Sequence, residues 1–251
     1  MIRVQGLPQH VGWALTQRRV SPNDLHPAEQ AVLRSSAGEK RRCDFYRGRW
    51  AAHQALAKLG LDVDVIGQGP RGEPSWPVGV AGSITHGADL AFAVVSEQEW
   101  TDGIGIDIER LRPSPELDAH VPRPEETAWL DRLDPHSRER ELVALFSAKE
   151  SIFKAFYPRV RRSFGFDAAC LVKTPNGYTA RFAKEVDEEY PTDRSFDVCS
   201  ELHDDVVVSW LILPKGPTNP STSHIPGNVA EPVDQATAAA RTRADFITSA
   251  G

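Results

Sequence analysis

The 251-residue chain is predicted to fold as an α+β protein of two similar-sized halves, in which helices alternate with antiparallel strands. Its length allows two cores of about 100 residues each. Its composition is that of an ordinary globular protein, with 40% hydrophobic and 25% charged residues. No apolar run approaches the ~20 residues of a membrane helix. Helical and alternating apolar patterns follow one another along the chain, and no sequence repeat relates the halves.

Pro27 to Gly60 reads as helical, with the basic stretch Lys40-Arg41-Arg42 and then Arg47 and Arg49 running into Trp50-Ala51-Ala52. Gly67 to Pro77 is expected to be irregular, because three prolines interrupt any ladder or helix. Short strands are expected around 81–86 and 90–95, followed by an acidic strand at 103–109. The Pro-rich crossing from Leu111 to Pro124 reads as a domain boundary or a loop, ahead of a helical block at 125–157 that stops at Pro158. Strands are expected at 168–173, 178–182 and 206–213, the first two joined by a Pro175-Asn176-Gly177 turn. These elements divide the chain into 1–110, 111–214 and a flexible tail at 215–251 rich in Pro, Ser, Thr and Ala.

The net charge of -6 argues against a chain that binds nucleic acid through its overall charge. Cys43, Cys170 and Cys199 are far apart and lack C-x-x-C spacing, so they read as buried thiols rather than a disulfide or zinc framework. Met1 to Gln9 lacks the basic-then-apolar pattern of a secretion signal, which makes the cytoplasm the expected location.

In Gly103-Ile104-Gly105-Ile106-Asp107-Ile108-Glu109, strand alternation sends the isoleucines to a core and both acids to the other face. The glycines on that second face are expected to leave open space beside the acids. The carboxylates stand about 7 Å apart along the backbone and repel by about 2–3 kcal/mol at an effective dielectric near 20. A divalent cation reverses the sign of that interaction, and a solvated acidic edge strand is the alternative. On the helix from Leu145 to Tyr157, Glu150 and Lys154 share one stripe while Leu145, Ile152, Phe153 and Phe156 gather on another. Taken alone, the first two could equally be a surface i, i+4 pair.

Gly105-Ile106-Asp107-Ile108-Glu109, followed by Phe146-Ser147-Ala148-Lys149-Glu150 and Lys154, resembles the signature of the 4'-phosphopantetheinyl transferases, specifically the larger monomeric type that activates siderophore, peptide and polyketide synthases. The resemblance runs from about Lys40 to Asp167. It takes in the Arg41 to Arg49 helix, Arg71-Gly72-Glu73-Pro74-Ser75-Trp76-Pro77, Ser83-Ile84-Thr85-His86 and Phe164-Gly165-Phe166-Asp167. The family often has a cysteine where Gly87 stands and a lysine where Arg71 stands.

The resemblance implies a monomeric pseudo-dimer of two similar subdomains, each a small antiparallel sheet packed with helices, with the active site in the cleft between them. It implies transfer of the phosphopantetheine arm of coenzyme A to a serine of an apo carrier protein, with Mg²⁺ (or Mn²⁺) as cofactor. Asp107, Glu109 and Glu150 would be metal ligands, and Glu150, Lys154 and Asp107 the catalytic set. Glu150 would take the serine proton. Lys154, with Lys149 as a second candidate, would meet charge on the departing oxygen. Arg41, Arg49, Arg71, Ser83, Thr85 and His86 would cradle coenzyme A, arginine suiting phosphate through its planar fork.

Each of these residues also has a plainer reading: Arg41 and Arg49 as a solvated helix face, His86 as a structural histidine, Trp76 as packing. The acidic carrier could be steered by Arg110, Arg112, Arg159, Arg161 and Arg162, or these could be ordinary surface arginines. The chemical alternatives are a Mg²⁺-dependent phosphohydrolase and an acidic interaction module that binds neither metal nor coenzyme A.

Overall fold

The computed structural model describes residues 2, 4–33, 37–112 and 114–216, so the expected tail lies outside the described residues beyond Gly216. In chain order the elements are β1 (Val11–Thr16), α1 (Pro27–Gln30), α2 (Glu39–Lys58), β2 (Gly67–Gln68), β3 (Pro74–Ser75), β4 (Val80–Gly87), β5 (Leu90–Glu97) and β6 (Thr101–Arg110). There follow α3 (Pro115–His120), α4 (Pro124–Leu130), α5 (Pro135–Val160), β7 (Ala169–Thr174), β8 (Gly177–Phe182), β9 (Ser195–His203) and β10 (Val206–Pro214). The class is α+β, with antiparallel sheets. One sheet has the order β1-β5-β4, a second has β6-β10-β9-β8-β7, and β2 and β3 form a short ribbon inside the Pro-rich loop.

Alternation along β5 divides its side chains between two cores. Ala91, Ala93 and Val95 pack with Ala51, Ala52, Ala55 and Leu56 of α2. Phe92 and Val94 pack with Ile104, Ile106 and Ile108 of β6. The other face of the second sheet meets α5, where Leu145, Ile152 and Phe156 join Phe182, Val207 and Leu211. The acidic strand thus has one face toward the first sheet and the other toward α5.

Several expectations change. β6 takes its ladder partner from β10, with Asp107 opposite Ser209 and Glu109 opposite Val207, so hydrogen bonding places it in the C-terminal sheet, whereas the division at residue 110 had grouped it with the N-terminal half. The sheets are also unequal, with three strands against five. The crossing from 111 to 124 contains α3, capped by the Ser114 hydroxyl, which accepts from Leu117 N–H. Helix α5 does not stop at Pro158. It continues to Val160 and ends at Arg161 in the left-handed region, φ 49°. A proline in the last turn forfeits one N–H bond without ending the coil.

The first strand and β9 had no counterpart in the sequence reading, and the region 27–60 holds two separate helices. Lys215 and Gly216 are tied down rather than loose. The Lys215 ammonium sits 2.7 Å from Asp102 Oδ1, and the Gly216 N–H donates to Asp102 Oδ2 at 2.9 Å.

Candidate active site

Helix α5 reaches β6 because two glycines permit it. A Cβ on Gly105 would sit 1.7 Å from the Ser151 carbonyl oxygen, and one on Gly103 would sit 2.4 Å from that of Ala155. The expectation that these glycines open space beside the acids is therefore corrected: the helix backbone fills that space. Their effect on the site is indirect. By bringing α5 onto β6 they set Lys154 against Asp107.

Lys154 Nζ donates to Asp107 Oδ1 at 2.6 Å and to Thr85 Oγ1 at 3.3 Å, and Thr85 Oγ1 donates to the same Oδ1 at 3.3 Å. Asp107 is buried, and its second oxygen, Oδ2, has no hydrogen-bond partner. The Glu109 carboxyl is held well above the ordinary carboxylate range, by burial first and then by the charges of Asp107 and Glu150, against the opposing pull of Lys154 and Lys40. Glu150 is buried on α5. Sequence spacing puts Lys154 on one stripe with Glu150, and the fold directs its ammonium onto Asp107 of the strand.

Among the described residues, no three His, Cys, Asp or Glu side chains converge into a ready cation cage. The expected set of Asp107, Glu109 and Glu150 is not preassembled, since the Lys154 ammonium already neutralises one oxygen of Asp107. The chemistry of the donors still suits Mg²⁺. The buried Asp107 Oδ2 lacks a donor, and neighbouring acids repel one another. Mg²⁺ commonly takes only one or two carboxylates, completing its shell with phosphate oxygens and water.

The expected coenzyme A residues separate into groups. His86 is about half exposed, with Nδ1 3.8 Å from Asp44 Oδ2. Burial lowers its pKa, Asp44 opposes this, and Lys154, Lys40 and Arg41 add to the lowering. Arg41 is exposed on α2. Arg71, in the turn between β2 and β3, crosses to the C-terminal half, where its Nη1 donates to Ser163 Oγ at 3.2 Å and its guanidinium lies 5.6 Å from the Tyr157 ring centre.

The other expected cradle residues are turned inward. Arg49 is buried, donating to the Gly67 carbonyl at 2.8 Å, with Nη1 unpartnered and its pKa lowered by burial against the opposing charge of Glu29. The Ser83 hydroxyl accepts from Ile106 N–H at 3.2 Å, a sheet-to-sheet bond rather than a ligand contact. The Lys149 ammonium lies in the core, 2.5 Å from Glu126 and bonded to the carbonyls of Val121 and Phe166. It is not positioned as a second phosphate-binding cation. Trp76 packs over Gly82 beside the α2 core.

Sequence reasoning missed the hydroxyl contact of Thr85 with Asp107, and the bracing of Arg71 by Ser163. Period-two alternation along β4 does place Ser83 and Thr85 on one face, which was the available signal. Among the arginines expected to steer a carrier, Arg110 pairs with Asp205 and Asp89. Arg159 pairs with Asp102, Asp187 and Glu189, and Arg162 donates to the carbonyls of Glu185 and Val186. Much of that positive charge is therefore offset within the chain, whereas Arg112 and Arg161 are exposed.

Residues 28–96 match the model of the 4'-phosphopantetheinyl transferase N-terminal domain, and residues 103–209 match that of the 4'-phosphopantetheinyl transferase superfamily. The chain is 43% identical over 152 residues to 4'-phosphopantetheinyl transferase Npt of Nocardia iowensis, covering 59% of this chain and 67% of the relative. It is 37% identical over 170 residues to 4'-phosphopantetheinyl transferase PptT of Mycobacterium tuberculosis, covering 66% of this chain and 74% of the relative. It is also 41% identical over 141 residues to enterobactin synthase component D of Salmonella typhimurium, covering 53% and 56%. These matches lend no support to the phosphohydrolase alternative.

Proposed function

The chain belongs to the 4'-phosphopantetheinyl transferase superfamily, and we propose that it moves the phosphopantetheine arm of coenzyme A onto a serine of an apo acyl or peptidyl carrier domain, using the cluster around Asp107 and Lys154. The observation that carries the assignment of the site is the contact of Lys154 on α5 with Asp107 on β6, beside Glu109. A bond forms between the serine oxygen and the phosphorus bearing the arm. The bond from that phosphorus to the bridging oxygen breaks, and 3',5'-ADP leaves.

Glu150 takes the serine proton. Two of the three N–H groups of Lys154 go to Asp107 and Thr85, and the third meets the bridging oxygen as negative charge grows there. Asp107, through Oδ2, would hold Mg²⁺ or Mn²⁺ with Glu109 and Glu150, and the bound ion would neutralise pyrophosphate charge. His86, Arg41 and Arg71 form the cradle for the 3'-phosphate and adenine end, with Arg49 behind them. The two sheets serve as the halves of a pseudo-dimer within one monomer, with coenzyme A between them. Support for this comes from Arg71, which reaches Ser163 and Tyr157 from the other half. A cytoplasmic setting fits the substrate. Among the described residues no helix is long and apolar enough to cross a membrane.

Incubation with apo carrier, coenzyme A and Mg²⁺, followed by mass spectrometry of the carrier, should show addition of one phosphopantetheine group. Coenzyme A breakdown with an unchanged carrier would overturn the proposal. Asp107→Ala and Glu150→Ala should abolish transfer, whereas the Glu109→Ala defect should be relieved by excess metal.

A further inference from the structure

We propose that Thr85 is a positioning residue for the transfer reaction: its hydroxyl, carried by the first sheet, fixes Asp107 and Lys154 so that one Asp107 oxygen stays presented to a divalent cation. The inference rests on the transferase reading and deepens it. Thr85 is 4% exposed, and as a β-branched residue it has a stiff χ1. Its two partners dictate which way its single proton points. An ionised carboxylate only accepts and an ammonium only donates, so the hydroxyl gives its proton to Asp107 Oδ1 at 3.3 Å and receives one from Lys154 at 3.3 Å.

Oδ1 therefore collects two donors, with Lys154 at 2.6 Å, while Oδ2 has none. That asymmetry distinguishes the two oxygens. Rotation about the Asp χ2 bond is broad, so a carboxylate held by Lys154 alone can swing through a range of angles and turn its free oxygen aside. With both bonds made, such a swing strains two contacts, and the carboxylate plane stays where its second oxygen is presented to a cation. In the same geometry the Thr85 hydroxyl proton goes to Asp107, which leaves the Thr85 backbone to take part in the coenzyme A cradle.

The test compares wild type with Thr85→Val, Thr85→Ala and Thr85→Ser. Thr85→Ala removes the hydroxyl without placing a second methyl against Asp107, and thermal melts check that each variant is folded. Loss of a group that orients a metal ligand typically costs about 10–100-fold in metal affinity or activity. Mn²⁺ binding, followed by electron paramagnetic resonance without coenzyme A, should weaken by that factor in Thr85→Val and Thr85→Ala and recover in Thr85→Ser.

In the transfer assay the loss should appear in kcat, with KM for coenzyme A moving less than about threefold. Unchanged Mn²⁺ affinity, a loss confined to the KM for coenzyme A, or a serine variant as impaired as the valine would each overturn the proposal. If wild type transferred nothing, the transferase reading would fail, while the Mn²⁺ titration would still decide the role of Thr85.

Discussion

Lys149 and Lys154 lie on one helix and meet different surroundings. Lys154 reaches the acidic strand, whereas Lys149 is buried against Glu126, which also accepts from the N–H groups of Leu171 and Arg123. Removing one partner of a buried, hydrogen-bonded ion pair leaves an uncompensated charge. Lys149→Met should therefore lower the unfolding free energy by about 3–5 kcal/mol in urea titrations. Adding Glu126→Gln should return part of that loss, and failure to do so would place the lysine's importance elsewhere. A second buried acid sets an acid limit on stability. Burial of Glu29 raises its pKa, but hydrogen bonds from His53 and Ile66 N–H and the charges of His53 and Arg49 outweigh that and leave it below 4.5. A depressed folded-state pKa contributes stability that is fully present above the unfolded value and fades as pH falls through the folded one. The stability difference between wild type and Glu29→Gln should accordingly be largest near neutrality and shrink below pH 4.5.

At the scale of elements, the closest approach in the site is that of α5 to β6. Gly105→Ala would drive a methyl into the Ser151 carbonyl, and overpacking of this kind costs about 1–3 kcal/mol. The variant should melt earlier and lose transfer by more than its folded fraction explains, because Lys154 retreats from Asp107. Activity proportional to folded protein would show that the helix tolerates the shift. The sequence displayed this element pair only in part. Alternation told that Ile104, Ile106 and Ile108 enter a core and that Asp107 and Glu109 face the other way. It did not tell what lies opposite Gly103 and Gly105, because an empty position reads the same whether a ligand or a helix backbone occupies it. Helix periodicity likewise paired Glu150 with Lys154, but where a long side chain ends depends on the neighbouring strand. The strands β1 and β9 escaped notice, although Phe196 and Val198 do alternate in Ser195–His203, and α3 was hidden by Pro115, which sits at its first turn rather than breaking it.

For the molecule as a whole, net charge and carrier recognition pull apart. A chain at -6 repels an acidic carrier at long range, so the attraction must be local. With Arg110 and Arg159 engaged by acids, Arg161 at the end of α5 is the better place to look. Arg161→Glu should raise the KM for an acidic carrier and weaken its salt dependence, and kinetics unchanged from wild type at both low and high salt would remove this residue from recognition. Arg159→Glu should instead destabilise the fold, since Arg159 pairs with Asp102, Asp187 and Glu189. Finally, the bond from Ile106 N–H to the Ser83 hydroxyl links a strand of one sheet to a strand of the other through a side chain. That amide is shielded only while the two sheets stay docked. Its exchange with deuterium is thus a clock for their separation, and a slowing on addition of coenzyme A would time how the substrate clamps the two halves together.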